Sequence, residues 1–304
     1  MAWSEVLRLV APPIEASLTG APFYAVVLTI GLGIGILTGF FGVGGGFLIV
    51  PLLNIVLDIS YELAVGSSLS FIIGTSFAGL LKQNEQKNVH FEVAGYIIAG
   101  SVIGAVLGDN LQGFILYGLA GGRQELFTLI MHGLFLLVLI GTIVSMRTPA
   151  GREEPSRLPL LARIGPPPKF HIEEWGRHGF SVPGTFLVGA VIGVFTGLLG
   201  IGGGVLLVPV LLGLFGLNHT KAAGTSLAII FATSIVAVIK KGFSTVPKVS
   251  LPLTLILLIA SVIGVQFGIF LVHRVSHTGF RRSFSYVLLA AITLILIDAV
   301  SILM

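Results

Sequence analysis

The sequence contains no cysteine and little charge. None of its 304 residues is cysteine, and Asp, Glu, Lys and Arg together make up only 10%. The missing thiols exclude disulfide bonds, thiolate metal sites and a cysteine nucleophile, but they leave the redox compartment undetermined. The shortage of charge, together with 55% hydrophobic residues and a mean hydropathy of +1.04, excludes a soluble globular domain. The chain is therefore predicted to be an integral membrane protein.

Motifs of enzymes and of nucleotide-binding proteins are also missing or incomplete. The run from Gly224 to Ala228 lacks the last glycine of G-x-S-x-G, and no histidine and acid pair is predicted beside it at membrane depth. Phe47 stands where G-x-G-x-x-G requires its third glycine, and there is no H-E-x-x-H. We therefore predict that the protein is not an enzyme and has no cofactor or metal site.

Most of the chain falls into eight apolar blocks, many of them near the roughly 20 residues that a helix needs to cross a bilayer. The lipid bilayer is thus one predicted partner. The basic residues behind the formal net charge of +4 lie in the links between blocks, where topology signals sit, so they predict no nucleic-acid partner. The blocks are residues 23–57, 62–81, 93–119, 125–146, 184–216, 221–240, 250–272 and 283–304.

A polar gap divides the blocks into two groups of four. It carries six basic residues, four glutamates and the run Pro166–Pro168, a composition that predicts a solvated linker without a core of its own. The predicted organisation has an N-terminal interfacial segment (1–22), a first transmembrane repeat (23–146), a cytoplasmic linker (147–182) and a second transmembrane repeat (183–304).

The two groups of blocks resemble each other in sequence. Residues 35–53 and the residues 158 positions later have 11 identities in 19 positions, and the register continues from Gly66-Ser67-Ser68-Leu69 to Gly224-Thr225-Ser226-Leu227. An internal duplication of Gly-interrupted apolar segments is typical of secondary transporters. The identical residues of the first copy are Gly35, Thr38, Gly39, Gly42, Gly44, Gly45, Gly46, Leu48, Val50, Pro51 and Leu53.

The first block of each repeat is too long for one ordinary span, and its glycine cluster lies near the middle. We interpret each such block as two helices joined at the glycines, because glycine costs a helix interior roughly 1 kcal/mol relative to alanine. An odd number of crossings per repeat would invert the second repeat, whereas one broken helix that crosses once would give parallel repeats. Counts of Lys and Arg satisfy the positive-inside rule for both topologies. The block length favours the first, an all-α polytopic protein with two inverted-topology repeats whose Gly-broken or re-entrant helices meet near the midplane.

The glycine clusters predict an anion site. A helix is expected to begin near Gly46 and another near Gly204, and the first amides of a helix have no intrahelical partner, so that they and the helix dipole favour negative charge. Two inverted copies would aim these two helix ends at one cavity. Neutral hydroxyls close by would add donors, and a lysine at the end of each following span would attract an anion to an entrance. The predicted substrate-binding residues are Gly44, Gly45, Gly46, Ser67, Ser68, Gly202, Gly203, Gly204, Thr225, Ser226, Thr38 and Thr196, with Lys82 and Lys240 as entrance charges.

Each of these features also has a purely structural interpretation. Glycines spaced by four residues, as in the Gly35–Gly39 and Gly193–Gly197 pairs, are typical of close helix packing. Hydroxyls within spans commonly bond to a carbonyl of the preceding turn, and lysines at span ends anchor helices at the interface. Three single polar residues inside the blocks have no match in the other repeat and are candidates for a proton relay. These are His132, Gln266 and Asp298.

With its paired glycine motifs, the prolines that follow them, and the Gly-Ser-Ser and Gly-Thr-Ser pairs, the chain resembles the sulfite exporter TauE/SafE family of bacterial membrane transporters. The resemblance covers both repeats. It implies a multi-pass protein of the bacterial cytoplasmic membrane that exports small sulfur-containing anions, such as sulfite, sulfoacetate or related organosulfonates. It also implies that an ion gradient, of protons or sodium, drives the export.

The alternative function is a transporter or channel for a cation or another small solute on the same repeat fold. A cation site usually contains Asp or Glu, and the apolar blocks carry almost none away from their ends apart from Asp298. Amides and hydroxyls match an anion better. The sequence therefore favours a small anionic substrate.

Overall fold

The computed structural model describes residues 21–57, 59–147, 168–171, 179–242 and 251–303. These residues are almost all helical, and eight of their helices are long and apolar enough to cross a membrane. The prediction of an all-α polytopic membrane protein is confirmed. Residues 1–20 of the predicted interfacial segment and most of the predicted linker lie outside the described residues, so the predicted domain boundaries stay predictions.

The first repeat forms five helices in the order long, short, long, long, long. Pro51 lies at the end of the short helix, and because proline has no amide proton to donate, the chain continues from it as a wider π-helical turn. The helices are α1 (Ala21–Phe41), α2 (Gly46–Pro51, continued by the π turn Leu52–Val56), α3 (Tyr61–Glu85), α4 (Phe91–Phe114, continued by the π turn Ile115–Leu119) and α5 (Gln124–Arg147).

The second repeat shows the same order of long and short helices. Ser181 caps its first helix by accepting a hydrogen bond from the Gly184 amide at 3.2 Å, and Pro183 occupies the first turn, where its missing amide costs nothing. The helices are α6 (Val182–Leu199), α7 (Gly204–Gly213), α8 (His219–Gly242), α9 (Leu251–Val272) and α10 (His277–Leu303).

A short antiparallel ribbon precedes α6. Strand β1 (Lys169–His171) pairs with β2 (Gly179–Ser181), and Phe170 and Phe180 on these strands are buried. The Phe180 ring stacks on Phe215 with centroids 5.4 Å apart, and Phe170 lies 4.6 Å from the ring of Tyr96. The linker composition did not predict this ribbon, since its two aromatic residues lie among charged residues and prolines.

The repeats interlock through glycine faces on α1 and α9. A Cβ built on Gly35 would lie 2.3 Å from a carbonyl oxygen of α9, and one on Gly39 would lie 2.1 Å from another, so only glycine permits this approach. Contacts advance in the same direction along both helices, which makes α1 and α9 parallel neighbours. The contacting pairs are Gly31 with Leu257, Gly35 with Ser261, and Gly39 with Val265.

Helices α4 and α6 repeat this arrangement with the roles of the repeats exchanged. A Cβ on Gly193 or on Gly197 would lie 2.1 Å from a carbonyl oxygen of α4. The packing interpretation of the four-residue glycine spacing is thus confirmed in both repeats. The contacting pairs are Gly100 with Phe186, Gly104 with Ala190, Gly108 with Val194, Gly193 with Ser101, and Gly197 with Ala105.

Helices α3 and α8, which occupy corresponding places in the two repeats, contact each other in opposite order. Gly79, near the end of α3, meets Leu227 near the start of α8. Earlier on α3, Ile72 shares contacts with the later residue Ile230, because both side chains reach Gly44. The two helices therefore run in opposite directions.

Large apolar side chains cover the outside of the helices. Leu137, Leu187 and Ile259 are 64%, 64% and 66% exposed. A soluble protein rarely exposes so much apolar surface, whereas lipid chains match it. The chain is a multi-pass membrane protein.

Substituting Gly104 by alanine is expected to destabilise the fold by about 1–3 kcal/mol, because the new Cβ would meet the Ala190 carbonyl oxygen at 2.0 Å and backbone cannot yield cheaply. Thermal unfolding of the purified protein in detergent measures the effect. Gly133→Ala is the matched control, since nothing lies within 4 Å of its Cβ position. Equal unfolding temperatures for the two variants would contradict the packing role.

Candidate functional site

The chain breaks at both glycine motifs, as predicted. Helix α1 ends at Phe41 and α2 begins at Gly46, while α6 ends at Leu199 and α7 begins at Gly204. We call residues 42–45 the first glycine turn and residues 200–203 the second glycine turn. Each turn is buried, so it forms a non-helical connection inside the protein.

Two different constraints explain why each motif needs so many glycines. Within the first turn Gly42, Gly44 and Gly45 have φ of +70°, +72° and +76°, a left-handed conformation that side chains disfavour, and their counterparts in the second turn have values of +65° to +73°. The last glycine of each motif is helical but crowded. A Cβ on Gly46 would lie 2.9 Å from the Gly200 oxygen.

Each turn contacts the first residue of the short helix that follows the other turn. A Cβ on Gly204 would lie 2.0 Å from the carbonyl oxygen of Val43 in the first turn, which mirrors the contact of Gly46 with the second turn. These contacts agree with the sequence prediction that the glycine motifs of the two repeats approach each other. The predicted substrate-binding glycines of both repeats therefore lie together at this contact.

A pair of serines ties each turn to the opposite repeat. The Ser68 hydroxyl on α3 donates to the Gly200 carbonyl at 3.0 Å, and the Ser226 hydroxyl on α8 donates to the Gly42 carbonyl at 2.5 Å. Both serines are fully buried. The Ser226 oxygen also lies 2.8 Å from the Ala223 carbonyl of its own helix. Since a hydroxyl has one proton, both serines have theirs engaged by backbone carbonyls, and they would donate to a substrate only by releasing those carbonyls.

The two predicted threonines near the turns differ in their hydrogen bonds. Thr196 donates to the Ile192 carbonyl at 3.0 Å, as the structural interpretation of hydroxyls expects. The Thr38 hydroxyl is fully buried and, within the described part of the chain, has no hydrogen-bond partner. It would lie 2.8 Å from a Cβ on Gly45. Thr38 therefore holds a buried polar group beside the first glycine turn.

The remaining predicted hydroxyls lie on the starts of α3 and α8. The Thr225 oxygen accepts a hydrogen bond from the His90 amide at 3.0 Å, and the Ser67 carbonyl accepts one from the Thr254 hydroxyl at 3.4 Å. Burial lowers the pKa of His90 below its ordinary value, Lys221 lowers it further, and Glu92 opposes the shift. The Thr225 contact places this hydroxyl at the entry to α4.

Further buried hydroxyls escaped the sequence analysis. Ser101 on α4 and Thr233 on α8 lie 2.7 Å apart, oxygen to oxygen, and join two helices of different repeats. Thr233 and Ser234 are the counterparts of Thr75 and Ser76 in the 158-residue register, so continuing the repeat alignment along α3 and α8 would have found them. All five are buried.

The space expected between the two glycine turns is filled by two isoleucines. Ile72 and Ile230, which correspond in the two repeats, both contact Gly44 and Gly202 at 2.9 Å to 3.3 Å from the Cβ positions. Both side chains are fully buried. The sequence predicted a cavity here; the structure shows it occluded, because the small glycines leave room for branched side chains from α3 and α8.

The two predicted entrance lysines end corresponding helices. Lys82 forms an ion pair with Glu85 at 2.9 Å and lines a groove of about 230 Å³ at the end of α3. Lys240 is half-buried near the end of α8. Because α3 and α8 run in opposite directions, the two lysines lie at opposite ends of the helix pair. The structure does not bring them together.

The groove beside Lys82 is rich in basic and amide groups. His273 Nε2 lies 2.8 Å from Gln86 Oε1, and the Arg274 guanidinium lies 4.1 Å from the centroid of the Phe270 ring. Gln266, one of the single polar residues in the apolar blocks, also lines this groove, so it lies apart from the glycine turns.

The other two single polar residues meet each other. His132 Nδ1 on α5 lies 3.5 Å from Asp298 Oδ2 on α10. The sequence identified both residues but did not pair them, since they lie 166 positions apart.

Comparison with known proteins gives a consistent result. The family model described as "Sulfite exporter TauE/SafE" matches residues 27–295. The chain is 30% identical over 253 residues to the "Probable membrane transporter protein YjnA" of Bacillus subtilis, covering 82% of this chain and 91% of the relative. It is 24% identical over 274 residues to the "Probable membrane transporter protein MJ0441" of Methanocaldococcus jannaschii, covering 86% and 91%. No solved structure matches.

Replacing Ser226 or Ser68 by alanine is expected to destabilise the protein by about 1–3 kcal/mol each, because a buried carbonyl of the opposite turn loses its donor. Thermal unfolding in detergent measures the loss. Ser70→Ala is the matched control, since the Ser70 hydroxyl bonds only the Gly66 carbonyl of its own helix at 3.1 Å. If the three variants unfolded alike, the cross-repeat bonds would be energetically unimportant.

Proposed function

The chain belongs to the sulfite exporter TauE/SafE family, and on this premise we propose that it exports small sulfur-containing anions by alternating access. It is a membrane transporter, as its family and its curated relatives indicate. The proposed substrates are sulfite, sulfoacetate or related organosulfonates, and the proposed membrane is the bacterial cytoplasmic membrane.

The paired glycine turns are the observation on which this proposal rests. The first intrahelical bonds of α2 and α7 come from the Leu48 amide to the Gly45 carbonyl at 3.1 Å and from the Leu206 amide to the Gly203 carbonyl at 3.0 Å. The amides of Gly46 and Phe47, and those of Gly204 and Val205, lie ahead of these first intrahelical bonds. Two helix N-termini with such amides, in contact at buried positions, favour an anion between them.

The side chains at the turns also suit an anion better than a cation. Ser68, Ser226 and Thr38 bring neutral hydroxyls, and Ile72 and Ile230 bring aliphatic groups. A desolvated oxyanion needs donors, which hydroxyls and amides supply without a fixed charge in the membrane. Of these three hydroxyls, that of Thr38 has no hydrogen-bond partner in the described part of the chain.

We further propose that the repeats have inverted topology and that the glycine turns meet near the midplane. The opposite directions of α3 and α8 support this, because corresponding helices of parallel repeats would run the same way. The parallel pairs α1 with α9 and α4 with α6 are consistent with it. In this arrangement the linker lies at the end of the helices opposite to both α1's start and α10's end.

Alternating access then has an identifiable gate. Ile72 and Ile230 fill the space between the turns, and we take this packing as the occluded state of the proposed cycle. Opening toward either side requires one isoleucine to withdraw from Gly44 and Gly202. Since each isoleucine belongs to a different repeat, rocking of one repeat against the other moves them in turn.

The groove at the end of α3 is the proposed entrance from the cytoplasm. It combines Lys82, His273 and Arg274 with two glutamine amides at the same end of the helices as the linker. Clustered positive charge raises the local concentration of anions. The linker is predicted to be cytoplasmic by its basic residues, so the groove would collect substrate for export.

Efflux from proteoliposomes tests the function. Vesicles loaded with labelled sulfite or sulfoacetate are expected to lose the anion with the wild-type protein, and loss with Gly45→Val or Gly203→Val is expected to fall at least about tenfold, because a side chain strains φ near +75° and strikes Ile34 or Ile192. Gly33→Val is the matched control, since nothing lies within 4 Å of its Cβ position.

Phosphate and sodium in the same assay distinguish the alternatives. Transport of sodium alone, unaffected by the two turn variants, would contradict the anion proposal. Asp109→Asn sharpens this comparison, because Asp109 is a second carboxylate inside the apolar blocks, within block 93–119, besides Asp298. A cation transporter that used this carboxylate would lose activity in the variant, whereas anion efflux should persist.

Single cysteines test the inverted topology, and the natural absence of cysteine removes any background label. Lys82→Cys and Lys240→Cys mark the corresponding ends of α3 and α8. A membrane-impermeant maleimide added outside intact cells is expected to label position 240 and not position 82, until the cells are opened. Labelling of both positions from the same side would indicate parallel repeats.

A further inference from the structure

The His132–Asp298 pair lies inside the membrane-spanning helices and apart from the glycine turns. The histidine side chain is 2% exposed and the aspartate side chain 18%. By helix rise, His132 lies about 12 Å from the start of α5, and Asp298 about 8 Å from the end of α10. Both residues lie within candidate membrane spans, Gln124–Met146 and Thr278–Val300, toward the end of the helices opposite to the linker.

Among the described residues, Tyr61 is an ionisable side chain in ring contact with His132. The Tyr61 ring on α3 lies 6.1 Å from the His132 ring, edge to face, and its hydroxyl is buried with no hydrogen-bond partner in the described part of the chain. Glu62 follows Tyr61 on α3. The helices α2 and α7, which pack against α10 and α5, carry no ionisable residue, and Arg281 on α10 bonds the Met146 carbonyl at the far end.

Burying an ionisable pair among membrane-spanning helices costs free energy, and a pair kept despite that cost is expected to have a function. A carboxylate beside a neutral imidazole leaves one net negative charge at membrane depth, whereas one added proton makes the pair neutral overall. The pair has no counterpart in the other repeat, although the glycine turns, serines and isoleucines are all duplicated. A structural need of the shared fold would be expected in both repeats.

The helices that carry the pair contact the helices that follow the glycine turns. Helix α5 packs against α7, and α10 packs against α2, where the Phe284 ring lies 6.4 Å from that of Phe47. A change in how α5 and α10 fit together therefore acts on both α2 and α7. Protonation of the pair is thus connected to the proposed substrate site through the contacts of α5 with α7 and of α10 with α2.

We propose that His132 and Asp298 together bind the proton whose inward movement drives export, a proposal that rests on the transport function above. The proton enters from the end opposite to the linker, neutralises the pair, and permits the packing of α5 against α10 that favours one orientation of the turns. Loss of the proton to the other side restores the charge and the alternative packing.

Two transport modes test the coupling. In proteoliposomes with the membrane potential clamped, an outside-acid gradient of one pH unit should support about a tenfold anion gradient for one proton per cycle, the ratio of the two proton concentrations. Asp298→Asn and His132→Gln should abolish this response. Counterflow of labelled against unlabelled anion needs no net proton movement, so both variants should retain it within about twofold.

Glu125→Gln is the matched control, because it removes a solvent-exposed carboxylate from the first turn of α5, the helix that carries His132, and it should keep both modes. Persistence of the pH response in both pair variants would overturn the proposal. So would a wild-type protein that exchanges the anion but is driven by sodium, although the transport function would then stand.

A chemical probe keeps the test independent of the substrate. In His132→Gln, where the carboxyl alone can hold the proton, dicyclohexylcarbodiimide, which is soluble in lipid and reacts with protonated carboxyls, should modify Asp298 increasingly as the pH falls, as peptide mass spectrometry would report. Modification that does not change with pH would refute proton binding there. If no anion moves but the modification follows pH, the transport function fails while the proton site remains.

Discussion

Backbone groups that leave a helix inside a membrane protein must find partners within the protein, since no water is near to supply them. At the two glycine turns, the partner comes from the opposite repeat. Ser68 bonds the Gly200 carbonyl and Ser226 bonds the Gly42 carbonyl, so each break is completed by a hydroxyl from a helix that crosses beside it. The proposed substrate amides exist only because the breaks exist. Transport through the proposed site therefore depends on the hydrogen bonds that stabilise the breaks.

The glycine faces on the long helices also join the two repeats. Between lipid-soluble helices there is no hydrophobic driving force, so close backbone contact supplies much of the attraction. Gly35 and Gly39 bring α1 against α9, while Gly193 and Gly197 bring α6 against α4. The first long helix of each repeat thereby packs against the third long helix of the other repeat. The turns between α1 and α2 and between α6 and α7 are consequently fixed relative to one another.

Sequence reasoning succeeded where a local requirement selects one residue type. Left-handed backbone at Gly45 and Gly203, and sub-contact approaches at Gly35 and Gly197, leave glycine as the unstrained choice, so the breaks and packing faces could be predicted. It did not predict contacts between residues far apart in the chain. Ile72 and Ile230 look like ordinary apolar residues, and the pairing of His132 with Asp298 depends on how α5 meets α10. The ribbon was missed because the burial of Phe170 and Phe180 depends on distant aromatic residues.

The exchange of serines between repeats has a consequence for biosynthesis. When the ribosome has delivered only α1 to α5, the Gly42 carbonyl still lacks Ser226, and the glycine face of α1 still lacks α9. The first turn can be completed only after α8 has been made, and the α1 face only after α9, so closure of the first repeat depends on synthesis of the second.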